Sequence, residues 1–334
     1  MTIKDIARLS GYSVGTVSRV LNGSPNVSPT AKAKVEAVVA EHNFKLNNNA
    51  KHLKQQASSG IAVIVKGTQN MLFASIVEQL QYLIREKGYS CRIYYIDEDA
   101  SEVEQAIRLC RERRPYGILF LGSSLPEFRD RFSAISIPCA LVTNSAAELG
   151  FPNLSSVSTD DAAGAQYAVE HLIGLGHTKI GILGGNPEVS NAAYTRYGGC
   201  LRAFDAHALP FDPTRQLATA RFSMAGGYNA MTNLLDNMPG LTAVFAMSDV
   251  MALGAIRAIH ERGLRVPEDI SIVGYDGLDM CRYLSPQLTT IRQQREAIAI
   301  RSLDLLLQAI QSGTPAVHEV TPFELIPGES AKAI

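Results

Sequence analysis

The stretch Thr16-Val17-Ser18-Arg19-Val20-Leu21-Asn22-Gly23 decides how the first part of the chain folds. Val17, Val20 and Leu21 recur at helical spacing and form one apolar face. Ser13, just before this stretch, is a residue type that caps the start of a helix. The sequence therefore predicts a short helix whose outer surface carries Val14, Gly15, Thr16, Ser18 and Arg19.

Two further short helices are predicted on either side of this one. The first begins at the Thr2-to-Asp5 pattern, which has capping-box spacing, and ends near Gly11. The last begins at Ser28-Pro29, because proline suits the first helical position. The apolar positions are Ile3, Ile6, Ala7 and Leu9 in the first and Val35, Val38 and Val39 in the last. Three such helices can form a helix-turn-helix module or, on spacing and charge alone, a generic helical cap.

The charge of the chain is unevenly distributed. The net charge is only -1, but residues 1–59 hold eight Lys and Arg against three Asp and Glu, a net +5. The rest of the chain carries 23 basic and 29 acidic residues, a net -6. A basic first segment on an acidic body is typical of a module that meets phosphates.

Length and composition exclude several protein classes. Of the 334 residues, 46% are hydrophobic and 19% are charged, which is the composition of a globular protein. The length predicts more than one folding unit. No apolar run in the sequence is long enough to span a membrane. The first residues lack the pattern of a secretory signal, so we expect a cytoplasmic protein. Five scattered cysteines without a Cys-x-x-Cys pair predict neither disulfides nor a zinc site, and we expect no metal or cofactor.

From residue 61 onward, short apolar runs alternate with helical patterns. Candidate strands cover 61–65, 118–121, 139–142, 180–183, 243–247 and 270–273, and candidate helices lie near 73–87, 102–113, 161–174, 195–207, 226–236 and 250–262. This alternation predicts parallel sheets covered by helices on both faces, with ligands at the carboxyl ends of the strands.

The first segment also resembles a known family. The runs Thr2–Ala7, Thr16–Gly23 and Asn26–Pro29 closely resemble the headpiece of the lactose-repressor and galactose-repressor family of bacterial transcription regulators. The resemblance implies base contacts from Val14, Gly15 and Arg19, of which Arg19 has the chemistry to bind guanine. It implies phosphate contacts from Ser13, Thr16, Ser18 and Asn22. Gly15 departs from the larger residue usual in the family, so the operator sequence cannot be deduced by analogy.

Residues 44–53 look like the hinge of the same family. The resemblance implies that Asn47, Ala50 and Leu53 contact DNA, with Leu53 inserted into the minor groove. Leu46 replaces the usual proline, and the asparagine run has low helix propensity. A plain polar linker is the alternative.

The body resembles the family's sensor domain in four stretches: 168–177, 248–255, 265–276 and 288–291. The implied fold is like that of periplasmic sugar-binding proteins, with two parallel-sheet subdomains joined by crossovers near 159, 290 and 319. The expected organisation is a helix-turn-helix headpiece over 1–45, a hinge over 46–59, and an effector-binding and dimerisation domain over 60–334. Its subdomains would be 60–159 with 291–319, and 160–290 with 320–334.

The resemblance also implies an effector site. Its residues are Phe73, Arg196, Phe222, Asp249, Asp276 and Gln293, although a structural role for Asp249 is equally open. Tyr275 is expected in the core. Thr143, Ala192 and Lys66 depart from the aspartate, serine and proline usual in the family. Lys66 could favour an anionic effector, or it could be a solvated surface lysine.

The sequence thus favours a transcriptional regulator, most simply a repressor, whose affinity for operator DNA is controlled by a small effector such as a sugar. We expect a homodimer on a pseudo-palindromic duplex, since one small headpiece offers too few base contacts. The alternative is a periplasmic-type carrier without DNA function. No nucleophile elbow, phosphate loop or His-Glu-x-x-His helix is present, so we do not expect an enzyme.

Overall fold

The computed structural model describes residues 3–21, 27–42, 60–67 and 70–334. The chain divides into two compact units, Met1–Ser58 and Ser59–Ile334, which are described separately below. None of the helices in these ranges is long and apolar enough to cross a membrane.

The first unit contains the three helices that the sequence predicts. They are α1 (Ile3–Ser10), α2 (Val14–Leu21) and α3 (Pro29–Glu41). The Ser28 hydroxyl accepts the backbone N–H of Ala31 and caps α3. The core of the unit consists of Ile6, Ala7, Val17, Val20 and Val35. Leu9 was expected on the inner face, but it is 45% exposed because the buried stripe of α1 runs through Ile6, Ala7 and Ser10.

The second unit contains twelve strands within the described residues. They are β1 (Ile61–Lys66), β2 (Cys91–Ile96), β3 (Gly117–Leu121), β4 (Cys139–Thr143), β5 (Leu154–Thr159), β6 (Ile180–Gly184), β7 (Leu217–Thr219), β8 (Ala243–Ala246), β9 (Ser271–Asp276), β10 (Thr289–Gln293), β11 (His318–Thr321) and β12 (Phe323–Ile326).

Helices connect and cover these strands. They are α4 (Met71–Glu86), α5 (Glu102–Glu112), α6 (Leu125–Arg131), α7 (Asp161–Gly174), α8 (Asn191–Ala206), α9 (Pro213–Gln216), α10 (Met224–Asn237), α11 (Asp249–Glu261) and α12 (Arg295–Ser312). Three short 3-10 helices lie at Phe132–Ala134, Ala147–Leu149 and Asp279–Tyr283.

The strands form two six-stranded sheets with the same internal order. The first sheet runs β11-β5-β4-β3-β1-β2 and the second runs β12-β10-β9-β8-β6-β7. All neighbours are parallel except β10 and β12, which are antiparallel. Each strand of one sheet therefore has a counterpart at the same position in the other. The predicted class of two parallel-sheet subdomains is confirmed, with one antiparallel edge strand added to the second.

The chain passes between the two sheets three times. It leaves the first sheet after β5, returns between β10 and α12, and leaves again between β11 and β12. Helix α12 packs against α4 and against strands β3, β4 and β5 of the first sheet. The passages lie at 159–161, 293–295 and 321–323, so the second and third come a few residues after the expected positions.

Candidate functional site

A cavity of about 270 Å³ lies where the carboxyl ends of the strands of both sheets face each other. This is the edge at which parallel α/β sheets bind ligands, because the loops there diverge and leave a crevice. The side of the first sheet contributes Lys66, Gly67, Asn70, Leu72, Phe73, Glu98, Asp99, Gly122, Ser123, Ser124, Thr143 and Asn144. The rest of the lining is Asp161, Gly185, Asn186, Val189, Ser190, Ala192, Arg196, Thr219, Ala220, Arg221, Phe222, Asp276 and Gln293.

Two aromatic rings line the cavity, and each lies against a glycine. Phe73 belongs to α4 and Phe222 follows β7. A Cβ atom at Gly122 would lie 2.8 Å from the Phe73 ring, and one at Gly185 would lie 2.5 Å from the Phe222 ring. Gly122 also has a φ of +80°, which disfavours any side chain. The two glycines therefore let one phenylalanine from each side of the cavity settle against the backbone.

Arg196 is the centre of a buried polar cluster. Its Nε donates to Oδ1 of Asp161 at 2.9 Å, and its Nη1 donates to the carbonyl oxygen of Met247. Its Nη2 lies 3.6 Å from Oδ1 of Asp276. Burial by itself lowers the pKa of the guanidinium, but the carboxylates of Asp161 and Asp276 outweigh it and raise that pKa. Arg196 therefore stays charged, and much of its hydrogen-bonding capacity is used by the protein.

The guanidinium carbon of Arg196 also lies 3.8 Å from the centre of the Tyr275 ring. Tyr275 is fully buried, as expected for a core residue, and packs in the core of the second sheet. The aromatic face stabilises the cation in this dry environment. Tyr275 thus supports Arg196 from behind the cavity.

Asp276 and Gln293 line the cavity side by side. The Gln293 amide donates from Nε2 to Oδ1 of Asp276 at 2.9 Å, and both side chains are almost fully buried. Burial raises the pKa of the Asp276 carboxyl to about 8, although the charge of Arg196 opposes that rise. A ligand hydroxyl at this point meets a carboxyl group that can both accept and, below that pH, donate a hydrogen bond.

The structure corrects the expected effector contact of Asp249. Asp249 is fully buried at the start of α11 and is not among the residues that line the cavity. One of its oxygens accepts the hydroxyl of Thr290, and the other accepts the backbone N–H of Leu278 at 2.7 Å. Both oxygens are thus engaged inside the protein. Its role is structural, since it ties α11 to β10 and to the loop after β9.

Two cavity residues have an unusual backbone conformation. Thr143 has a φ of +81° and Asp276 a φ of +114°, values that non-glycine residues rarely adopt. They end β4 and β9, which are counterparts in the two sheets. Strained residues persist where the surrounding structure holds them, and they cluster at ligand sites.

The cavity is lined by charged residues whose contacts the sequence analysis did not predict. Lys66 is neither solvated nor isolated, because its Nζ lies 2.8 Å from Oε2 of the buried Glu102. Arg221 follows β7 and contacts Asp99, and its Nε lies 3.6 Å from Oε1 of Glu98, in the loop after β2. This ion pair therefore joins the two sides of the cavity. Burial raises the pKa of Glu98, although Arg221 opposes that rise.

Asp161 was also missed by the sequence reasoning. It lies two residues after the end of β5 and is the first residue of α7, so its position soon after a strand was the available signal. Within the described residues, no group of three or more His, Cys, Asp or Glu side chains is placed to hold a metal ion.

The outer face of α2 carries the candidate DNA contacts. Ser13, Val14, Gly15 and Arg19 are exposed, and Thr16 and Ser18 are half-buried. The Ser13 hydroxyl accepts the Thr16 backbone N–H at 3.2 Å and caps the helix. The remaining expected contacts, namely Asn22, Asn47, Ala50 and Leu53, lie outside the described residues, as does the whole hinge segment 46–59.

Comparison with known families gives two matches along the chain. Residues 2–47 match the model of the bacterial regulatory proteins of the lacI family. Residues 169–331 match that of a periplasmic binding protein-like domain. The chain is 34% identical to the HTH-type transcriptional regulator MalR of Clostridium butyricum over 99% of each chain. It is also 34% identical to the ribose operon repressor of Haemophilus influenzae, covering 93% of this chain and 92% of the relative.

Solved structures resemble the whole chain or its second unit. The lac repressor dimer bound to operator and the anti-inducer ONPF gives a TM-score of 0.77 at 28% identity, over 100% of this chain and 99% of that one. The transcriptional regulator CelR in complex with cellobiose gives 0.70 at 28% identity, over 99% of each chain. A lacI-family regulator from Enterococcus faecium with bound ribose gives 0.71 at 29% identity, over 82% of this chain and 99% of that one.

Proposed function

This chain belongs to the lacI family of bacterial regulatory proteins, and from that membership we propose that a sugar or related polar metabolite binds in the cavity and sets the affinity of the headpiece for its operator. The chain is a DNA-binding transcriptional repressor with an effector-binding domain. Its relatives are regulators and not enzymes, and the carrier alternative is not favoured.

The observation that carries the proposed effector class is the pairing of aromatic and polar groups in one cavity. Phe73 and Phe222 offer apolar faces, and Arg196, Asp276 and Gln293 offer buried polar atoms. Sugars present apolar ring faces together with several hydroxyls, so they suit such a lining. The bound cellobiose and ribose of two similar structures support this chemistry.

The experiment is a two-stage screen on the purified full chain. Thermal unfolding is first measured with single sugars, nucleosides and sugar phosphates, since a ligand that binds the folded state raises the midpoint. Each compound that stabilises the protein is then added to gel-shift titrations with operator DNA. A compound that does both fits the proposal. A complete screen of sugars with no stabilising compound would refute the proposed effector class.

We propose the headpiece contacts in the same way. Val14, Gly15 and Arg19 would meet base edges, and Ser13, Thr16, Ser18 and Asn22 would meet phosphates. The exposure of the described members of this set supports the assignment. The headpiece would span 1–45, the hinge 46–59 and the sensor 60–334, with the chain acting as a homodimer on a pseudo-palindromic operator. Light scattering should therefore give two subunits in solution, and gel shifts should require both half-sites.

The hinge proposal concerns residues outside those described, and it can be tested separately. A leucine inserted between base steps is stabilising only if both hinge segments of the dimer order in the minor groove. Leu53→Ala should therefore weaken operator binding and shrink its effector dependence, whereas effector affinity without DNA should hardly change. Unchanged operator affinity and unchanged effector dependence would make the segment a simple tether.

A further inference from the structure

Lys66 ends strand β1, which lies between β3 and the edge strand β2, and it is part of the wall of the cavity. Its side chain is only 11% exposed, and its Nζ is 2.8 Å from Oε2 of Glu102. Glu102 is the first residue of α5 and is 1% exposed, and its Oε1 accepts the backbone N–H of Ser124 at 2.6 Å. The carboxylate is therefore held from two sides, and it fixes the ammonium group at one place in the wall.

Lys66 keeps hydrogen-bonding capacity for a ligand. A lysine ammonium has three donors, and among the described residues its one hydrogen bond goes to Glu102. Ser123, in the same wall, is 4% exposed, and its buried hydroxyl has no hydrogen-bond partner within the described part of the chain. Burying a polar atom without a hydrogen-bond partner costs free energy. Such an atom in a cavity wall therefore indicates that a bound ligand supplies the missing hydrogen bond.

The charge of the surrounding wall does not favour an anion. The other two lining cations are already engaged, Arg196 by Asp161 and Arg221 by Asp99. Besides Asp276, whose raised pKa of about 8 keeps it mostly protonated at neutral pH, three lining residues are acidic and three are basic, and Glu102 behind the wall adds a further carboxylate. A phosphate or carboxylate group on a ligand would meet the ammonium of Lys66 with its charge already balanced, and would be repelled by the nearby acids.

We infer that Lys66 and Glu102 together form a subsite for an uncharged acceptor oxygen, and that Glu102 makes the cavity select neutral polyhydroxylated effectors against their phosphorylated or otherwise anionic forms. The inference rests on the proposed function and narrows its effector class. Lys66 donates to the ligand, and Glu102 is a positioning residue that also cancels the charge of the donor. Rejection of the anion is thus built into the site as an unfavourable interaction with the wrong ligand.

The test compares the wild-type chain with Glu102→Gln, which can still accept the Ser124 N–H but no longer balances Lys66. Glu104→Gln is the matched control, because Glu104 lies on the same helix, is 58% exposed and pairs with Arg131 away from the cavity. Calorimetric titrations use inorganic phosphate as the anion probe. They also use D-ribose with ribose 5-phosphate and D-glucose with glucose 6-phosphate as matched pairs.

The wild type and Glu104→Gln are expected to bind inorganic phosphate weakly and alike, and Glu102→Gln to gain at least about tenfold in phosphate affinity. Equal phosphate affinity in all three proteins overturns the inference. So does a wild type that binds a phosphorylated sugar more tightly than its neutral parent. If no sugar of the proposed class binds, the proposed function fails, but the phosphate comparison still decides the charge role of Glu102.

Glu102→Gln leaves a partly buried lysine unpaired and could unfold the protein, so a second variant is needed. Lys66→Met/Glu102→Gln leaves no unbalanced charge in this wall. It is expected to fold, to gain no phosphate affinity, and to bind the sugar found in the screen about tenfold more weakly because the donor is lost. Undiminished affinity for that sugar would overturn the assignment of Lys66 as a ligand contact.

Discussion

Thr159 donates its hydroxyl to Oε1 of Gln293 at 3.0 Å, although 134 residues separate them in the chain. Thr159 ends β5 and Gln293 ends β10, so the bond joins two of the three passages between the sheets. The hydroxyl of Thr321, at the third passage, lies 3.4 Å from that of Thr159. Because the Gln293 amide also binds Asp276, the three passages are connected to the cavity through one side chain.

Thr159→Val should destabilise the sensor and weaken effector binding. The substitution keeps the shape but leaves the buried Gln293 oxygen without its donor, which costs about 1–3 kcal/mol. It also frees the amide that orients Asp276. The measurements are urea unfolding and effector titration. Thr232→Val is the control, because the Thr232 hydroxyl donates to the Tyr228 carbonyl of its own helix, far along the chain from the passages between the sheets. A variant as stable and as tightly binding as the control would contradict the connection.

At about pH 9, where the Asp276 carboxyl is ionised, Asp276→Asn should weaken effector affinity by about tenfold to a hundredfold, the usual effect of losing a hydrogen bond to a charged group. Asparagine tolerates a positive φ, so the backbone at this position can be kept. Operator binding without effector should be unchanged. Asp279→Asn, three residues along and 70% exposed, is the control. Arg196→Ala is a poorer probe, because it leaves two buried carboxylates without their cation. Wild-type effector affinity in Asp276→Asn would remove this residue from the site.

The raised pKa of Asp276 predicts a pH dependence of stability. Between its ordinary value near 4 and its folded value of about 8, the folded chain holds a proton that the unfolded chain has lost. The stabilisation is therefore complete below pH 4 and is lost as the pH rises through 8. The difference in free energy of unfolding between the wild type and Asp276→Asn should fall from pH 5 to pH 8 and stay level above it. A difference in free energy of unfolding that does not change with pH would show that the pKa of the Asp276 carboxyl is not raised.

Arg221→Ala should make effector affinity weaker and less sensitive to salt. Arg221 contacts Asp99 and Glu98 across the cavity, so these ion pairs stabilise the arrangement of the two sides of the cavity seen in the structure. The groups are 57%, 80% and 40% exposed, and solvent screening limits the loss to about fivefold. Arg257→Ala, which removes an exposed pair within α11, is the control. The double charge reversal Arg221→Glu/Asp99→Arg should restore affinity, and failure of this rescue would argue against a direct pair.

Arg19→Ala should weaken operator binding by about 1–3 kcal/mol and relax the preference for one guanine, because a bidentate contact to that base is lost. Within the described residues, the exposed side chain donates one hydrogen bond, to the Gly15 carbonyl of its own helix. Lys34→Ala on the exposed face of α3 is the control and should leave base preference intact. Binding to a set of operators with single base changes separates these cases. Loss of affinity without any change in preference would make Arg19 a phosphate contact.

The periodic segments were predictable because their signal is local. An apolar residue every three or four positions marks a helix regardless of what it packs against, so α1, α2 and α3 follow from the sequence. Buried strands such as β3 and β4 also have apolar runs of their own. By contrast β5, with the sequence LSSVST, and β7, with three residues, carry no such run. They become strands through pairing with neighbours that the sequence does not identify.

The chain by itself determined the residue types of both sites, the two-part charge distribution and the order of helices and strands. Only the tertiary structure decided what the polar residues do. Asp249 is buried and hydrogen-bonds inside the protein. Lys66 pairs with Glu102, which lies 36 residues further along the chain. Thr143 and Asp276 lie at the ends of strands that occupy the same position in the two sheets. The physical reason is that a buried charge takes its role from its nearest partner in space. The order of strands in each sheet determines which residue that partner is. The spacing of residues along the sequence does not identify it.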